Sequence, residues 1–154
     1  MRVLKTNPHN RVGNTAYGNS QKLHFVLSTD TNGKVLGADV LADFKQDDEV
    51  ALGILPAGMR LHDSLANVTT PMSAGTTLTL GFKYVDGIDH TAVPQDDDYF
   101  GSGLVVDAAG RLRNATTNAS VRLPKDAYLV AKLGGADNEK ASRVEVTIDA
   151  AMEG

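Results

Sequence analysis

The chain has 154 residues, of which 42% are hydrophobic and 22% charged, and its formal net charge is −4. These values are ordinary for one soluble domain with a core of its own. Cysteine is absent, which excludes disulfides, thiolate catalysis and cysteine-based zinc sites. No apolar run approaches the roughly 20 residues of a membrane span, and the N-terminus lacks the apolar segment of a signal peptide. We therefore expect no membrane partner.

The first 21 residues are rich in Asn, Gly and Arg and show no hydrophobic period. They predict an extended N-terminal arm, followed by a single domain over residues 22–154. Residues 1–29 hold four basic and no acidic residues, whereas the rest of the chain holds 11 basic and 19 acidic residues, a formal charge of −8. A basic arm on an acidic body favours contact with an acidic partner surface. We assign that contact to Arg2, Lys5 and Arg11.

The first predicted strand covers residues 22–28, in which apolar and polar side chains alternate. Asn32-Gly33 follows it, and this dipeptide is a strong signal for a hairpin turn. Residues 35–41 are then the return strand, or residues 38–44 form a short helical turn instead, and the pattern does not separate the two.

The clearest strand runs from Thr76 to Tyr84, with Leu, Leu, Phe and Tyr at every second position. Successive side chains of a strand point to opposite faces, so one face is apolar and the other polar. Residues 50–61 show the same alternation, interrupted by Pro56-Ala57-Gly58. A β-bulge near Asp63-Ser64 would keep the apolar residues on both sides of it buried.

The second half of the chain predicts a long acidic surface loop over residues 88–102 and a hairpin over residues 104–114. Three further strands are predicted over residues 120–123, 127–133 and 143–148. A Gly-rich turn joins the last two, which we expect to pair as a hairpin. Eight or nine short strands without a helix indicate an all-β sandwich or barrel.

The residues offer little catalytic chemistry. His62-Asp63-Ser64 has the residue types of a hydrolytic triad, but neighbouring strand residues point to opposite faces. The acidic residues Asp86, Asp89 and 96–98 lack EF-hand spacing, so a solvated loop is favoured over an ion-binding one. Aromatic residues do not lie among the basic ones, so nucleic acid is not an expected partner. We predict no enzyme, no cofactor and no metal.

Two stretches resemble small β-rich head proteins of tailed bacteriophages: residues 55–61 (LPAGMRL) and 69–81 (TTPMSAGTTLTLG). Asp98-Tyr99-Phe100 and residues 105–112 are similar to later parts of those proteins, and the resemblance covers about residues 50–150. It implies a capsid decoration, or cement, protein with a jelly-roll-like β-sandwich, and the extended N-terminal arm predicted above lies outside the resemblance. Such a protein binds the outer surface of the virion capsid at junctions between capsomers, and needs no cofactor. Its partners would be the major capsid protein and itself, with a homotrimer favoured over a dimer.

The alternative is a glycan- or receptor-binding sandwich, such as a fibre tip or a carbohydrate-binding module. Sugar sites offer exposed aromatic rings, and one short stretch supplies two of them beside acidic residues. The surface recognition loop of this alternative comprises Asp96, Asp97, Asp98, Tyr99 and Phe100. A small β-sandwich enzyme ranks last, because no catalytic constellation is visible.

Overall fold

The computed structural model describes residues 1–4, 20–114 and 116–152, which form ten strands and no helix. Consequently, no described helix is long and apolar enough to cross a membrane. The strands are β1 (Arg2–Val3), β2 (Ser20–Thr29), β3 (Glu49–Leu55), β4 (Met59–Thr70), β5 (Thr77–Tyr84), β6 (Asp96–Val105), β7 (Gly110–Arg113), β8 (Val121–Arg122), β9 (Ala127–Gly134) and β10 (Ser142–Met152).

The strands form two sheets. Sheet I has the order β1-β3-β9-β5-β6, and sheet II has the order β2-β10-β4-β7, with β8 paired to β4. Neighbouring strands are antiparallel, except that β1 runs parallel to β3. The buried apolar side chains of both sheets form one cluster. The predicted fold class, an all-β, jelly-roll-like sandwich, is confirmed.

Strand β5 lies inside sheet I, between β9 and β6. Leu78, Leu80, Phe82 and Tyr84 are at most 2% exposed, as the alternation predicts. Each such side chain contributes roughly 1.5–3 kcal/mol by leaving water. The polar residues between them face the outer side of the sheet, so the predicted apolar row of β5 is confirmed.

The predicted bulge in β4 is also present. Opposite β4, Ala150 pairs with Leu61 and Asp149 pairs with Asp63, which leaves His62 as the extra residue. Because a one-residue shift exchanges the two faces of a strand, the bulge allows one strand to keep its apolar residues inward on both sides of His62. Leu61 and Val68 are accordingly both buried.

Neither predicted element, the strand over residues 35–41 or the helical turn over residues 38–44, is present. Residues 35–44 contain only isolated bridges: Thr29 to Val35, Leu4 to Ala38, Lys34 to Asp43 and Phe44 to Asn138. The turn predicted at Asn32-Gly33 is present, with Gly33 at φ 79°. The strand that pairs with β2 is instead β10, more than 100 residues later in the chain.

Both hairpins predicted for the second half are wrong. Strands β6 and β9 belong to sheet I, whereas β7 and β10, which follow them, belong to sheet II. Residues 106–109 and the turn at Gly135 therefore carry the chain from one layer to the other. Alternation of apolar and polar residues shows that one face of a strand is buried. It does not show which of the two sheets the strand belongs to, because strands of both sheets bury one face.

The predicted N-terminal arm meets the sandwich at both of its ends. Strand β1 pairs with β3, and Leu4 is 8% exposed and belongs to the core. At the other end, Ser20 and Gln21 are the first residues of β2. Both ends of the predicted arm are thus strand residues, and residues 5–19 lie outside the described part of the chain.

Candidate functional site

Arg2, a predicted capsid-binding residue, makes its contacts within the chain. Its guanidinium donates hydrogen bonds to the carbonyls of Ala42, at 3.0 Å, and Asp43, at 2.6 Å, and forms an ion pair with Asp48. These contacts fasten β1 to the loop before β3 and balance the charge of Arg2. The other two predicted arm residues, Lys5 and Arg11, lie outside the described residues.

The segment from Asp96 to Phe100 is the start of β6 and not the predicted loop. Leu80 pairs with Gly101 and Phe82 with Asp96, so four β6 residues face a single β5 residue. This large bulge allows two consecutive rings to point inward: Tyr99 is 5% exposed and Phe100 is fully buried. The recognition loop predicted for glycan binding therefore lacks exposed aromatic rings for stacking.

The two rings complete an aromatic cluster in the core. The ring centroid of Tyr99 lies 5.4 Å from that of Phe82 and 4.9 Å from that of Phe100, both in edge-to-face geometry. Such pairs stabilise by about 0.5–1.5 kcal/mol beyond the burial of their area. The Tyr99 hydroxyl donates to the carbonyl of Ala119 at 2.8 Å, so the polar end of the buried ring is satisfied.

The bulge places the three acidic residues Asp96, Asp97 and Asp98 over the outer face of sheet I. Gly81 lies beneath them, where an added Cβ would be 2.5 Å from the Asp97 carbonyl oxygen. One carboxylate oxygen from each of the three acids lies within 4.8 Å of the others. Lys83 lies beside them, with its Nζ 3.9 Å from Asp97 and 2.7 Å from Glu49. This part of the outer face of sheet I is therefore acidic, with Lys83 as the counter-charge beside Asp97 and Glu49.

The acidic residues of this region differ in their surroundings. Burial raises the pKa of Asp96, and a side-chain hydrogen bond with the Asp98 carboxyl raises it further. The pKa of Asp86 is lowered by its hydrogen bond with Lys125, which lies 2.8 Å away. The pKa of Asp89 is lowered by backbone N–H donors, first that of Gln95 at 2.7 Å. Asp86 and Asp89 thus order the loop before β6 and do not join the Asp96–Asp98 cluster.

His62, Asp63 and Ser64 are not assembled into a triad. Ser64 is buried, while the exposed His62 has its Nδ1 3.3 Å from Oγ of Ser120. The same hydroxyl lies 2.7 Å from the Leu61 carbonyl, which can only accept. The serine proton therefore goes to that carbonyl, and the imidazole donates to the serine oxygen. This polarity is the reverse of that in a nucleophile activated by a base.

The structure also reveals two residues that the sequence analysis missed. Arg111 and Arg113 are exposed on β7, with Leu112 turned inward between them. They lie opposite Asn67 and Leu65 on the outer face of sheet II. Their signal in the sequence is the Arg-Leu-Arg alternation, which lies within the predicted hairpin over residues 104–114.

No protein-family model and no curated protein matches this chain. Among solved structures, the fold is similar to that of a chain in the capsid of Ralstonia phage GP4, with a TM-score of 0.65, 12% identity and coverage of 99% of this chain and 97% of that one. It is also similar to a chain in the capsid asymmetric unit of cyanophage Pam1, with a TM-score of 0.59, 10% identity and coverage of 97% and 98%. At these identities the likeness is one of fold, and it extends over nearly the whole chain.

Proposed function

We propose that this chain is a structural virion protein that binds the outer surface of a phage capsid and stabilises the contacts between capsomers. The observation that carries the proposal is the fold, which is shared with chains from two solved phage capsids over 97–99% of this chain. Fold alone does not imply function, so the proposal also draws on the surface of the molecule. That surface offers charged faces for adhesion, and the His62-Asp63-Ser64 segment has the wrong geometry for catalysis.

The proposed partners are the major capsid protein and further copies of this chain, as a homotrimer. Lys5 and Arg11 would meet acidic capsid surface, because residues 1–29 carry no acid while the remainder of the chain has a formal charge of −8. Arg2 is already paired with Asp48, so it is no longer part of this proposed contact.

The test of the proposed function is cryo-electron microscopy of the particle from which the chain comes. We expect density for the sandwich on the outer face of the shell, at junctions between capsomers. Purified protein should also sediment with shells that lack it and should raise the temperature at which those shells rupture. Density inside the shell or in the tail, or failure to bind shells, would contradict the proposal.

The oligomeric state is tested separately, by sedimentation velocity on the purified protein. A trimer has a mass of about 49 kDa, three times the 16.3 kDa of one chain. A species of 16.3 kDa at every concentration would contradict the trimer but leave the capsid proposal standing.

The arm contact predicts that Lys5→Glu with Arg11→Glu weakens capsid binding at least about tenfold, because like charges placed against each other cost several kcal/mol. The matched control is Lys45→Glu with Lys140→Glu, which reverses the same charge at two exposed lysines of the sandwich. Binding is measured by cosedimentation with shells at several salt concentrations. Equal weakening in both variants would show that net charge, and not the arm, is responsible.

A further inference from the structure

The sheet edges of the sandwich are not alike. Strands β1 and β6 end sheet I, and β2 and β7 end sheet II. On three of these strands a backbone carbonyl accepts a hydrogen bond from outside the sheet. Val3 on β1 accepts from Asp39, Ser28 on β2 accepts from Leu36, and Tyr99 on β6 accepts from Thr116 and Asn118.

Strand β7 presents its backbone to solvent instead. Leu112 pairs with Ala66 of β4, and the Asn114 N–H donates to the Ser64 carbonyl at 3.1 Å. In an antiparallel ladder, residues alternate between facing one neighbouring strand and facing the other. Because Leu112 and Asn114 face β4, the N–H and C=O groups of Arg111 and Arg113 point away from it. Those groups make no hydrogen bond with any described residue.

The side chains of Arg111 and Arg113 are also unpaired among the described residues. Elsewhere on the outer face of sheet II, by contrast, the cations have partners: Arg143 lies 2.9 Å from Glu145, and Lys22 lies 3.5 Å from Asp149. The two free arginines are separated by one residue, so their Cα atoms lie about 7 Å apart along the strand. Free backbone donors and free guanidinium groups thus coincide on one edge.

The start of β7 is also uncovered. Gly110, the first residue of the strand, is exposed, and an added Cβ there would meet no atom within 4 Å. Arg111 and Arg113 are exposed too, so three of the four residues of β7 are open to solvent.

We infer that the edge of β7 binds an extended acidic segment of a protein partner by strand addition. The backbone of the partner would complete the hydrogen bonds of Arg111 and Arg113, which is the usual chemistry of an added strand. Carboxylates at every second residue of the partner would match the spacing of the two guanidinium groups, to which they bind in bidentate fashion. Under the proposed function, on which this assignment of the partner rests, the segment belongs to the capsid shell.

The binding chemistry can be tested without a capsid. A ten-residue peptide of alternating Glu and Thr is titrated into ¹⁵N-labelled protein, and the same length of alternating Lys and Thr serves as control. We expect the largest amide shifts at Arg111 and Arg113 with the Glu peptide only, and at least tenfold weaker binding in Arg111→Glu with Arg113→Glu. Shifts that lie elsewhere, or that are equal for both peptides, would overturn the inference. That result would instead indicate that the short, charged strand β7 protects the edge of sheet II against the addition of another strand.

A proline variant separates strand addition from simple charge attraction. Arg113→Pro removes the charge and the outward N–H, whereas Arg113→Ala removes the charge alone, and the N–H groups that face β4 remain in both variants. We expect the proline variant to bind the Glu peptide more weakly than the alanine variant, with equal urea midpoints confirming that both are folded. Equal binding by the two variants would overturn strand addition.

The same variants separate this inference from the proposed function. Wild-type protein that binds shells, together with Arg111→Glu and Arg113→Glu protein that binds them equally well, would refute the β7 edge as the capsid contact and leave the function standing. Lys22→Glu with Arg143→Glu is the control for net charge on the same sheet. Failure of the wild type itself to bind shells would refute the function, while the peptide titration still decides whether the edge binds acidic strands.

Discussion

Gly81 is the residue on which the acidic surface of sheet I depends. The backbone of Asp96 and Asp97 crosses directly over it, at a distance that leaves no room for a side chain. A side chain at position 81 would collide with this backbone, so the three carboxylates can lie over the sheet only because residue 81 is glycine. From the sequence alone, this glycine looks only like one polar-face position in an alternating strand.

We expect Gly81→Ala to destabilise the fold by about 1–3 kcal/mol, the range for overpacking a closely packed site. The matched control is Gly110→Ala on β7, where the added methyl meets no atom within 4 Å and the free energy of unfolding should change by less than about 0.5 kcal/mol. Urea unfolding of both variants measures the difference. Equal stability of the two would show that the segment over Gly81 shifts without cost.

The raised pKa of Asp96, caused first by burial and then by the side-chain hydrogen bond with Asp98, gives a prediction with a defined sign. A carboxyl with a raised pKa binds its proton more tightly in the folded state, so stability falls as pH rises from the ordinary pKa through the raised one. Asp96→Asn removes the charge but keeps an oxygen to accept from the Asp98 N–H.

The variant should therefore have a higher urea midpoint than the wild type at pH 7. The two midpoints should converge near about pH 3, below the ordinary pKa of Asp, where the wild-type carboxyl is protonated too. A constant difference at all pH values would show that the charge of Asp96 is not the cause.

At the scale of the strand, the sequence predicts best those features that depend only on the order of residues within one strand. The inward row of β5 and the bulge of β4 follow from local alternation, and both are present. The start of β6 could not be predicted in this way, because three consecutive acidic residues are typical of a solvated loop. What makes them a strand is the bulge, which turns Tyr99 and Phe100 inward together and places the carboxylates outside.

The two faces of β5 should differ sharply in their tolerance of substitution. Phe82→Ala opens a cavity against Tyr84 and Tyr99 and should cost about 3–5 kcal/mol. Thr79→Ala, on the outer face of the same strand, removes only a long 3.4 Å contact with Ser102 and should cost less than about 0.5 kcal/mol. Chemical denaturation of the two variants measures the contrast, and similar losses would contradict the assigned faces.

For the whole molecule, the layer to which each strand belongs could not be read from the sequence. Turn signals indicate where the chain reverses, but the pairing of β10 with β2 and β4 joins residues far apart in the chain. The same distance explains why the first residues looked like a free arm, since nothing local indicates that β1 pairs with β3. A test of the arm must therefore keep residues 1–4, because deleting them would also remove Leu4 from the core.

The central position of β10 has a consequence for synthesis on the ribosome. Strands β2 and β4 are linked within sheet II only through residues 142–152. At about 5–20 residues per second, several seconds or more separate the synthesis of β2 from that of β10. During this time the backbone groups of β2 that pair with β10 have no partner strand. The chain therefore reaches its native state only after translation of this last strand, and premature termination anywhere before it leaves a product that chaperones and proteases must handle.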